Sequence, residues 1–245
     1  MSSRPHPPSA AVDYPSSDGK PLAENDLQAR AILYAFGALR VRYRERRSDV
    51  YVSADLLVHY EEGNPRVSVA PDVFVVFGVE DHPRMSYKVW EEGKGPDFVL
   101  EVASPSTWEE DVREKPGIYA GLGVREYFLF DPRSEYLSPR LQGYRLMDGG
   151  YEPLVAVESI DRTLTMRSEV LGLELRTKGE EMRFHDPATG ETLLSYEEEH
   201  AARREEAAAR RKEAAARRTA EARVAELEAR VRALEGTPEP PDAPQ

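Results

Sequence analysis

The sequence contains no cysteine and no long apolar run. Without cysteine, the chain has no disulfide framework and no cysteine-based zinc site or nucleophile. Because no stretch of 18 consecutive apolar residues occurs, we expect no membrane span. The N-terminal stretch is rich in Pro and Ser and lacks an apolar core, which argues against a signal peptide. Together these absences predict a soluble cytoplasmic protein.

Two families of catalytic motif are also missing. The five histidines, at positions 6, 59, 82, 185 and 200, show no HxH or HxxxH spacing. A zinc hydrolase site therefore has little support. The chain also has no glycine-rich phosphate loop, so nucleotide-driven chemistry is unsupported.

Positive charge is scarce in the first 195 residues. The whole chain has a net charge of −12, residues 196–235 contain ten Glu against ten Arg and Lys, and the last ten residues contain two acids, which leaves −10 for residues 1–195. Because Lys and Arg contacts to phosphates dominate DNA binding, such a domain has little non-specific affinity for DNA. The basic run at 40–47 (RVRYRERR) could form a local DNA-binding patch or a solvated helix end, and the sequence leaves both interpretations open.

The length allows one sizeable domain with an appendage. Changes in composition predict four parts. These are a disordered N-terminal segment (1–20), a globular domain (21–195), a long helix with a potential coiled coil (196–235) and a disordered tail (236–245).

The predicted C-terminal helix contains no Gly or Pro and consists mainly of Ala, Glu and Arg, which is typical of a long solvated helix. Val224, Leu227, Val231 and Leu234 follow alternating three- and four-residue spacings, which form a short heptad seam. Upstream, charged residues fill the same seam, so a continuous coiled coil has weak support. We expect an exposed helix that self-associates near its end, and hence a homodimer.

The most informative stretch is residues 69–131, where charged side chains interrupt apolar segments. The run Val73–Phe77 is unbroken, as in a strand covered on both faces, and Asp72 precedes it behind Pro71. A second run, 98–102, contains Glu101. Because burying a carboxylate is costly without a partner, a shared metal ion is the simplest explanation. The alternatives are that Asp72 caps a turn and that Glu101 pairs with an arginine.

Hydrophobic periodicity predicts a mixed α/β domain. The predicted elements are a helix over 22–40, strands over 49–59 and 67–77, loop over 79–96, a strand–helix–strand crossover over 97–131, and mixed sheet over 141–195 with turns at 147–151 and 186–190. In the loop, Lys88 and Trp90 could contact a substrate or hold the loop against the domain.

The crossover helix places a lysine near the second carboxylate. Thr107 and Glu110 have capping-box spacing, which predicts that the helix begins there. Its next turns can direct Lys115 back toward Glu101. Pro116 disfavours the helical conformation at Lys115, so the helix either kinks there or a new helix begins with the proline near its first position.

Residues 20–195 resemble the Uma2 family of the PD-(D/E)XK nuclease superfamily. The similarity rests on the segments DGKPLAEND, SADLLVHYEEGNPRVSVAPDVFVVFG, SYKVWEEG, LEVASPST and GVREYFLFDP. The resemblance implies a restriction-endonuclease-like mixed β-sheet core flanked by helices. It also implies a metal-dependent endonuclease that uses Mg²⁺ or Mn²⁺ to hydrolyse phosphodiester bonds, with DNA as the expected substrate.

The resemblance also implies roles for individual residues. Asp72 and Glu101 would be metal ligands, and Lys115 would position water and stabilise charge. The lysine has moved to the following helix from the place where Ala103 stands in this sequence. Glu24 would be a further ligand, directly or through water, although an acid near a helix N-terminus is also favoured by the helix dipole alone. The backbone carbonyl of Val102 would be another ligand.

A competing hypothesis is a nuclease-like fold that acts as an interaction module and recruits a partner through its C-terminal helix. The acidity of residues 1–195 and the presence of Pro116 favour the module. The retention of Asp72, Glu101 and Lys115 in apolar surroundings favours the enzyme, because such residues are costly for a pure scaffold.

Overall fold

The computed structural model describes residues 12–44 and 47–235. The chain divides into two compact units, residues 1–196 and residues 197–245. In chain order, the elements are α1 (Asp26–Arg44), β1 (Val50–Ser53), β2 (Val58–His59), β3 (Ser68–Val69), β4 (Val73–Phe77), β5 (Tyr87–Lys88), α2 (Val89–Glu92), β6 (Phe98–Val102), α3 (Trp108–Arg113), α4 (Lys115–Gly121), β7 (Glu126–Phe130), β8 (Leu141–Met147), β9 (Gly150–Pro153), β10 (Val157–Glu158), β11 (Leu164–Ser168), β12 (Leu173–Lys178), β13 (Glu181–Asp186), β14 (Glu191–Thr192) and α5 (Tyr196–Glu235).

A six-stranded mixed sheet in the order β1-β4-β6-β7-β8-β9 forms the centre of the domain. Strands β6 and β7 are parallel, and α3 and α4 form the crossover between them. The other neighbouring pairs in this sheet are antiparallel. The predicted strand–helix–strand crossover and the mixed α/β architecture are confirmed.

Alternate residues of the central strands face two different hydrophobic cores. Leu100 and Val102 join the core that contains α1 and the strands β11 to β13. Val99 joins the opposite core, which contains Tyr119 of α4 and the small sheet β3-β2-β5. By the same alternation, Glu101 lies on the α4 side of the sheet. The strand periodicity therefore decides which helix can contact this carboxylate.

Residues 141–195 differ in part from the expected mixed sheet. The strands β8 and β9 extend the central sheet, whereas β10 to β14 form a separate five-stranded sheet. All neighbouring strands in this second sheet are antiparallel, because short turns connect consecutive strands. The two predicted turns are confirmed, since Met147 pairs with Gly150 and Asp186 pairs with Glu191.

The first helix begins at Asp26, not at residue 22 as predicted. Asn25 explains this start, because its side-chain Oδ1 accepts the backbone N–H of Gln28 at 3.0 Å, as an N-cap residue does. Glu24 therefore precedes the helix. The helix also continues to Arg44, beyond the predicted end at residue 40.

The long strands predicted at 49–59 and 67–77 are each interrupted. Asp55 adopts a positive φ of 49°, which separates β1 from β2. In the second strand, residues 70–72, which include Pro71, separate β3 from β4. The predicted loop 79–96 contains the short elements β5 and α2.

Gly143 of β8 permits a close approach between the two sheets. A Cβ atom at this position would lie 2.7 Å from Cε1 of Phe128 and would also overlap Sδ of Met166. We expect Gly143→Ala to lower the free energy of unfolding by about 1–3 kcal/mol through overpacking. Urea denaturation would measure the change, with Gly149→Ala as the control because a Cβ there meets no atom within 4 Å. Equal stability of the two variants would contradict the described packing between the sheets.

The C-terminal helix α5 has 40 residues. Ion pairs between side chains one turn apart connect successive turns of this helix. These pairs are Glu199–Arg203, Glu206–Arg210 and Arg217–Glu221. Val224, Leu227 and Val231 of the predicted seam have exposed fractions of 54%, 45% and 51%, so their apolar side chains face solvent in the single chain. The predicted long exposed helix is thus confirmed, and its self-association stays a prediction.

Candidate active site

The two predicted carboxylates meet between neighbouring antiparallel strands. Because Val73 pairs with Leu100, Asp72 lies beside the carboxyl end of β6. The backbone N–H of Asp72 donates to Oε2 of Glu101 at 3.2 Å, and the backbone N–H of Val102 donates to Oδ2 of Asp72 at 2.6 Å. Each carboxylate is thus held by the backbone of the other strand, and both residues line the same cavity.

Lys115 reaches this pair from the first residue of α4. Its Nζ lies 2.9 Å from Oε1 of Glu101. Helix α3 ends at Arg113, and α4 begins with Pro116 in its first turn, where a missing backbone N–H is tolerated. Of the two predicted outcomes, the start of a new helix is therefore correct. Glu101 pairs with this lysine. The alternative interpretation, in which Glu101 pairs with an arginine, is therefore wrong.

The expected capping box at the start of α3 does not form. The helix begins at Trp108, and the side chain of Thr107 makes no capping hydrogen bond. Its hydroxyl instead lies 2.9 Å from the hydroxyl of Ser104. The turn after β6 is thus stabilised by a hydrogen bond between two side-chain hydroxyls. The capping-box spacing does not predict this bond.

Two residues of the site were absent from the sequence prediction. The hydroxyl of Tyr119 donates to Oε1 of Glu101, and Oδ1 of Asp111 lies 2.7 Å from Nζ of Lys115. Positions 111, 115 and 119 are four residues apart, the spacing that places helical side chains on one face. That spacing relates Asp111 and Tyr119 to Lys115, but it does not by itself distinguish Asp111 from a residue on a solvated helix face.

Burial and the charge of Glu101 raise the pKa values of Asp72 and Asp111. Burial, followed by the negative charge of Glu101, raises the pKa of Asp72 well above its usual value. The same two causes raise the pKa of Asp111 to about 7. Burial alone would lower the pKa of Lys115, but Glu101, Asp111 and Asp72 outweigh it and raise that pKa. Lys115 is therefore a cation at neutral pH, which suits charge stabilisation and not proton abstraction.

A cavity of about 270 Å³ opens onto the carboxylates. Its charged lining residues are Asp18, Lys20, Glu24, Asp55, Asp72, Glu101, Glu110 and Lys115. The excess of acidic over basic groups makes this cavity more favourable to cations than to anions. A bound cation would offset the repulsion that these carboxylates exert on an anion.

Of the two predicted auxiliary ligands, Glu24 lines the same cavity, whereas Val102 is not among its lining residues. The Glu24 carboxylate accepts hydrogen bonds from the hydroxyls of Ser104, at 3.1 Å, and of Ser106. The carbonyl of Val102 accepts the side-chain amide of Gln28 at 3.1 Å. Both oxygens have protein partners, so a metal ion would share them with these hydrogen bonds.

The carboxylates suit a hard divalent cation that keeps some of its waters. Mg²⁺ prefers oxygen ligands and commonly binds through one or two carboxylates. Oδ1 of Asp72 accepts no hydrogen bond from the described residues and lies in a residue that lines the cavity. Within residues 12–44 and 47–235, no group of three or more His, Cys, Asp or Glu side chains has the arrangement of a metal site. Water or substrate oxygens would thus complete the coordination of Asp72 and Glu101.

The arginines of the basic run at 40–47 that the structure describes do not form a free cationic patch near the cavity. Three of its arginines form ion pairs: Arg40–Asp81, Arg42–Asp186 and Arg47–Asp49. At 1.5 Å per residue, Arg42 lies about 21 Å along α1 from Gln28, which lines the cavity. Residues 45 and 46 lie outside the described residues. The interpretation as a helix end agrees better with these contacts than a DNA-binding patch does.

The N-terminal segment packs onto the domain at Tyr14. The hydroxyl of Tyr14 accepts the backbone N–H of Gly63 at 2.6 Å, and its ring lies 5.1 Å from that of Trp90. Lys88 lies 5.2 Å above the same ring. Trp90 and Lys88 thus hold this segment in place, and the predicted disorder of 1–20 does not extend to Tyr14. Residues 1–11 and the predicted disordered tail, 236–245, lie outside the described residues.

The Uma2 family, described as putative restriction endonucleases, matches residues 8–178. The chain belongs to this family. The family assignment confirms the predicted resemblance and, with the mixed sheet and flanking helices, the predicted fold class. The description of the family supports a nuclease.

One solved structure with a similar fold is a putative nuclease belonging to DUF820 from Anabaena variabilis ATCC 29413. It is 15% identical, the match covers 55% of this chain and 73% of that chain, and the TM-score is 0.40. A comparison with curated proteins finds no match. Among the described residues of this Uma2 protein, no helix has the length and apolarity needed to cross a membrane.

Proposed function

We propose that this Uma2 protein is a Mg²⁺- or Mn²⁺-dependent endonuclease that hydrolyses phosphodiester bonds in DNA. The observation that carries the proposal is that the carboxylates of Asp72 and Glu101 each accept a backbone N–H from the other's strand. The ammonium of Lys115 lies against the Glu101 carboxylate. Two convergent carboxylates and a buried cation form a costly arrangement. Phosphodiester hydrolysis gives each of the three groups a use.

The Asp72 and Glu101 carboxylates would hold the metal ion, and the Val102 carbonyl and Glu24 would contribute directly or through water. When bound, the ion neutralises phosphate charge and lowers the pKa of coordinated water. Lys115 donates hydrogen bonds from its ammonium, which orient the attacking water and stabilise the negative charge that develops on the phosphoryl oxygens. In the reaction, a water oxygen bonds to phosphorus and gives up a proton to solvent, one phosphorus–oxygen ester bond breaks, and the released oxygen takes up a proton from solvent.

Tyr119 would keep Glu101 in the orientation that this chemistry needs. Its hydroxyl and the Lys115 ammonium share Oε1 of Glu101, while Oε2 accepts the Asp72 backbone N–H. Three donors thus fix one carboxylate. Because Glu101 is only 1% exposed, water competes little for these bonds.

A catalytically inactive interaction module is the second candidate. The observation in its favour is the exposed seam of α5, formed by Val224, Leu227 and Val231. Valine at the a positions and leucine at the d position favour a two-stranded parallel coiled coil. Homodimerisation through this seam is compatible with either function and is part of our proposal. The predicted cytoplasmic location also stays a prediction.

Cleavage of supercoiled plasmid DNA at low salt tests the enzymatic proposal. We expect nicking that requires Mg²⁺ or Mn²⁺ and stops when the ion is chelated. Asp72→Asn should reduce nicking, and should weaken Mn²⁺ binding measured by calorimetry by at least about tenfold, because it removes one charged ligand.

Asp97→Asn is the matched control for Asp72→Asn. Asp97 is a buried carboxylate at the other end of β6 that pairs with Lys94 at 2.7 Å. It is absent from the lining of the cavity. Cleavage and Mn²⁺ affinity should therefore be retained in this variant. Absence of both cleavage and Mn²⁺ binding in the wild type would refute the enzyme and favour the interaction module.

A further inference from the structure

Asp111 is a buried carboxylate that lies behind the site and not in it. It is only 1% exposed, and it does not line the cavity. Its Oδ1 lies 2.7 Å from Nζ of Lys115. The lysine does line the cavity. Asp111 can therefore influence a substrate only through Lys115.

The backbone of Asp111 is anchored independently of this ion pair. The buried hydroxyl of Tyr127 donates to the Asp111 carbonyl at 2.7 Å, and the Asp111 N–H donates to the carbonyl of Thr107 at 2.9 Å. The first of these bonds connects α3 to the central strand β7, and the second belongs to the first turn of α3. The carboxylate thus starts from a fixed position, whereas a lysine ammonium sits on a flexible four-carbon stem.

Other buried carboxylates of this protein are satisfied differently. Glu126 is fully buried, pairs with Arg145 at 2.8 Å, and accepts the backbone N–H groups of Glu169 and Val170. Asp131 likewise accepts three backbone N–H groups. Among the described residues, no backbone N–H donates to the carboxylate of Asp111. Its orientation is thus tied to the side chains of Lys115 and Thr107 and not to the main chain.

The charges around Lys115 show what Asp111 adds. Oε1 of Glu101 lies 2.9 Å from the ammonium, and Oδ1 of Asp111 lies 2.7 Å from it. Without Asp111, the lysine could turn fully onto Glu101 and Asp72 and compete with a metal ion for them. With Asp111, the ammonium has a second anchor away from those two carboxylates.

We propose that Asp111 is a positioning residue that holds the Lys115 ammonium between itself and Glu101, at the wall of the cavity. The inference rests on the proposed nuclease function and adds a residue to it. Asp111 contacts neither the metal ligands nor the substrate in this arrangement. Its loss should therefore impair the chemical step more than the binding of DNA or metal.

Steady-state cleavage by Asp111→Asn, Asp111→Glu and Glu126→Gln variants of the full chain tests the inference. Asp111→Asn keeps the shape but removes the charge, and we expect kcat to fall about tenfold, the cost of losing a supporting partner. KM for plasmid DNA and the affinity for Mn²⁺ should change by less than about threefold, a smaller effect than the tenfold fall expected in kcat. Asp111→Glu restores the charge and should recover part of the lost kcat.

Glu126→Gln is the matched control, because it neutralises another buried, ion-paired carboxylate that is absent from the cavity lining. It should lower stability and leave kcat unchanged. Wild-type kcat in Asp111→Asn would overturn the inference, as would a parallel loss of Mn²⁺ affinity. If Asp111→Asn does not fold by circular dichroism, Asp111→Glu decides, since wild-type kcat with a displaced carboxylate would also overturn it. If the wild type cleaves no DNA, both the nuclease proposal and this inference are rejected. If only the Asp111 variants lose activity, the nuclease proposal stands and the inference is supported.

Discussion

Replacement of Lys115 with alanine is expected to reduce metal-dependent cleavage by about 10²–10³-fold, the usual cost of removing one charge-stabilising donor. The same change should lower the free energy of unfolding by about 3–5 kcal/mol, because it leaves buried carboxylates without their cation. Lys115 is 6% exposed and forms ion pairs with Glu101 and Asp111. Plasmid nicking and urea denaturation would measure the two effects.

The pH dependence of this stabilisation has a defined sign. Because the carboxylates raise the pKa of Lys115 above its ordinary value of 10.5, the ammonium contributes fully below pH 10.5 while its partners are ionised, and Asp111 is ionised above a pKa of about 7. The contribution of the ammonium is lost only as the pH rises above 10.5. The stability difference between the wild type and Lys115→Ala should therefore persist at neutral pH.

Two variants separate charge from other effects of Lys115→Ala. Lys115→Met keeps most of the side-chain volume and should lose cleavage to the same extent. Lys94→Ala removes a partly exposed lysine that pairs with Asp97 at 2.7 Å. Asp97 keeps Arg125 and the backbone N–H of Phe77 as partners in this variant. Loss of the half-exposed lysine should therefore cost at most about 1 kcal/mol, and cleavage should persist. Full activity of Lys115→Met would show that the ammonium has no part in catalysis.

Phe128→Ala is expected to lower the free energy of unfolding by about 3–5 kcal/mol, as large-to-small changes in a core do. Phe128 is fully buried in β7, its ring centroid lies 5.4 Å from that of Phe98, and its ring contacts the backbone region of Gly143. The central strand cannot collapse around the missing ring without moving β6 or β8. Urea denaturation would measure the loss.

Val157→Ala is the control for this core substitution. Val157 is 68% exposed in β10, and surface changes of this kind usually alter stability by less than about 0.5 kcal/mol. A loss below about 1 kcal/mol for Phe128→Ala would fall outside the range for core aromatics. It would contradict the close packing between the central sheet and the second sheet.

Sequence alone predicted the site residues for which polarity conflicts with the surroundings. Asp72 and Glu101 stand out because they interrupt apolar strands, and the family resemblance added Lys115. The structure places these three together. Asp111 does not stand out, because a carboxylate in the segment TWEEDVRE is typical of a solvated helix surface. Its burial depends on how α3 packs against β7, which is a tertiary contact that local sequence does not specify.

The fold was predicted best where one periodicity extends over many residues. The crossover between β6 and β7 and the long helix α5 both have such patterns. The start of α1 was misplaced because Glu24 and Asn25 are both polar, and only the hydrogen bond from Gln28 shows which of them caps the helix. The sheet from β10 to β14 was not separated from the central sheet, because strands of two to six residues carry too few alternations to indicate their partners.

The ion pairs along α5 imply a molecular spacer whose stiffness responds to salt. At 1.5 Å per residue, 40 residues keep the two ends of the helix about 60 Å apart. Each pair one turn apart contributes about 0.3–0.5 kcal/mol and requires no contact with another part of the chain. Dissolved ions screen such exposed pairs. The helix should therefore maintain this reach at low ionic strength and bend or fray more readily as the salt concentration rises.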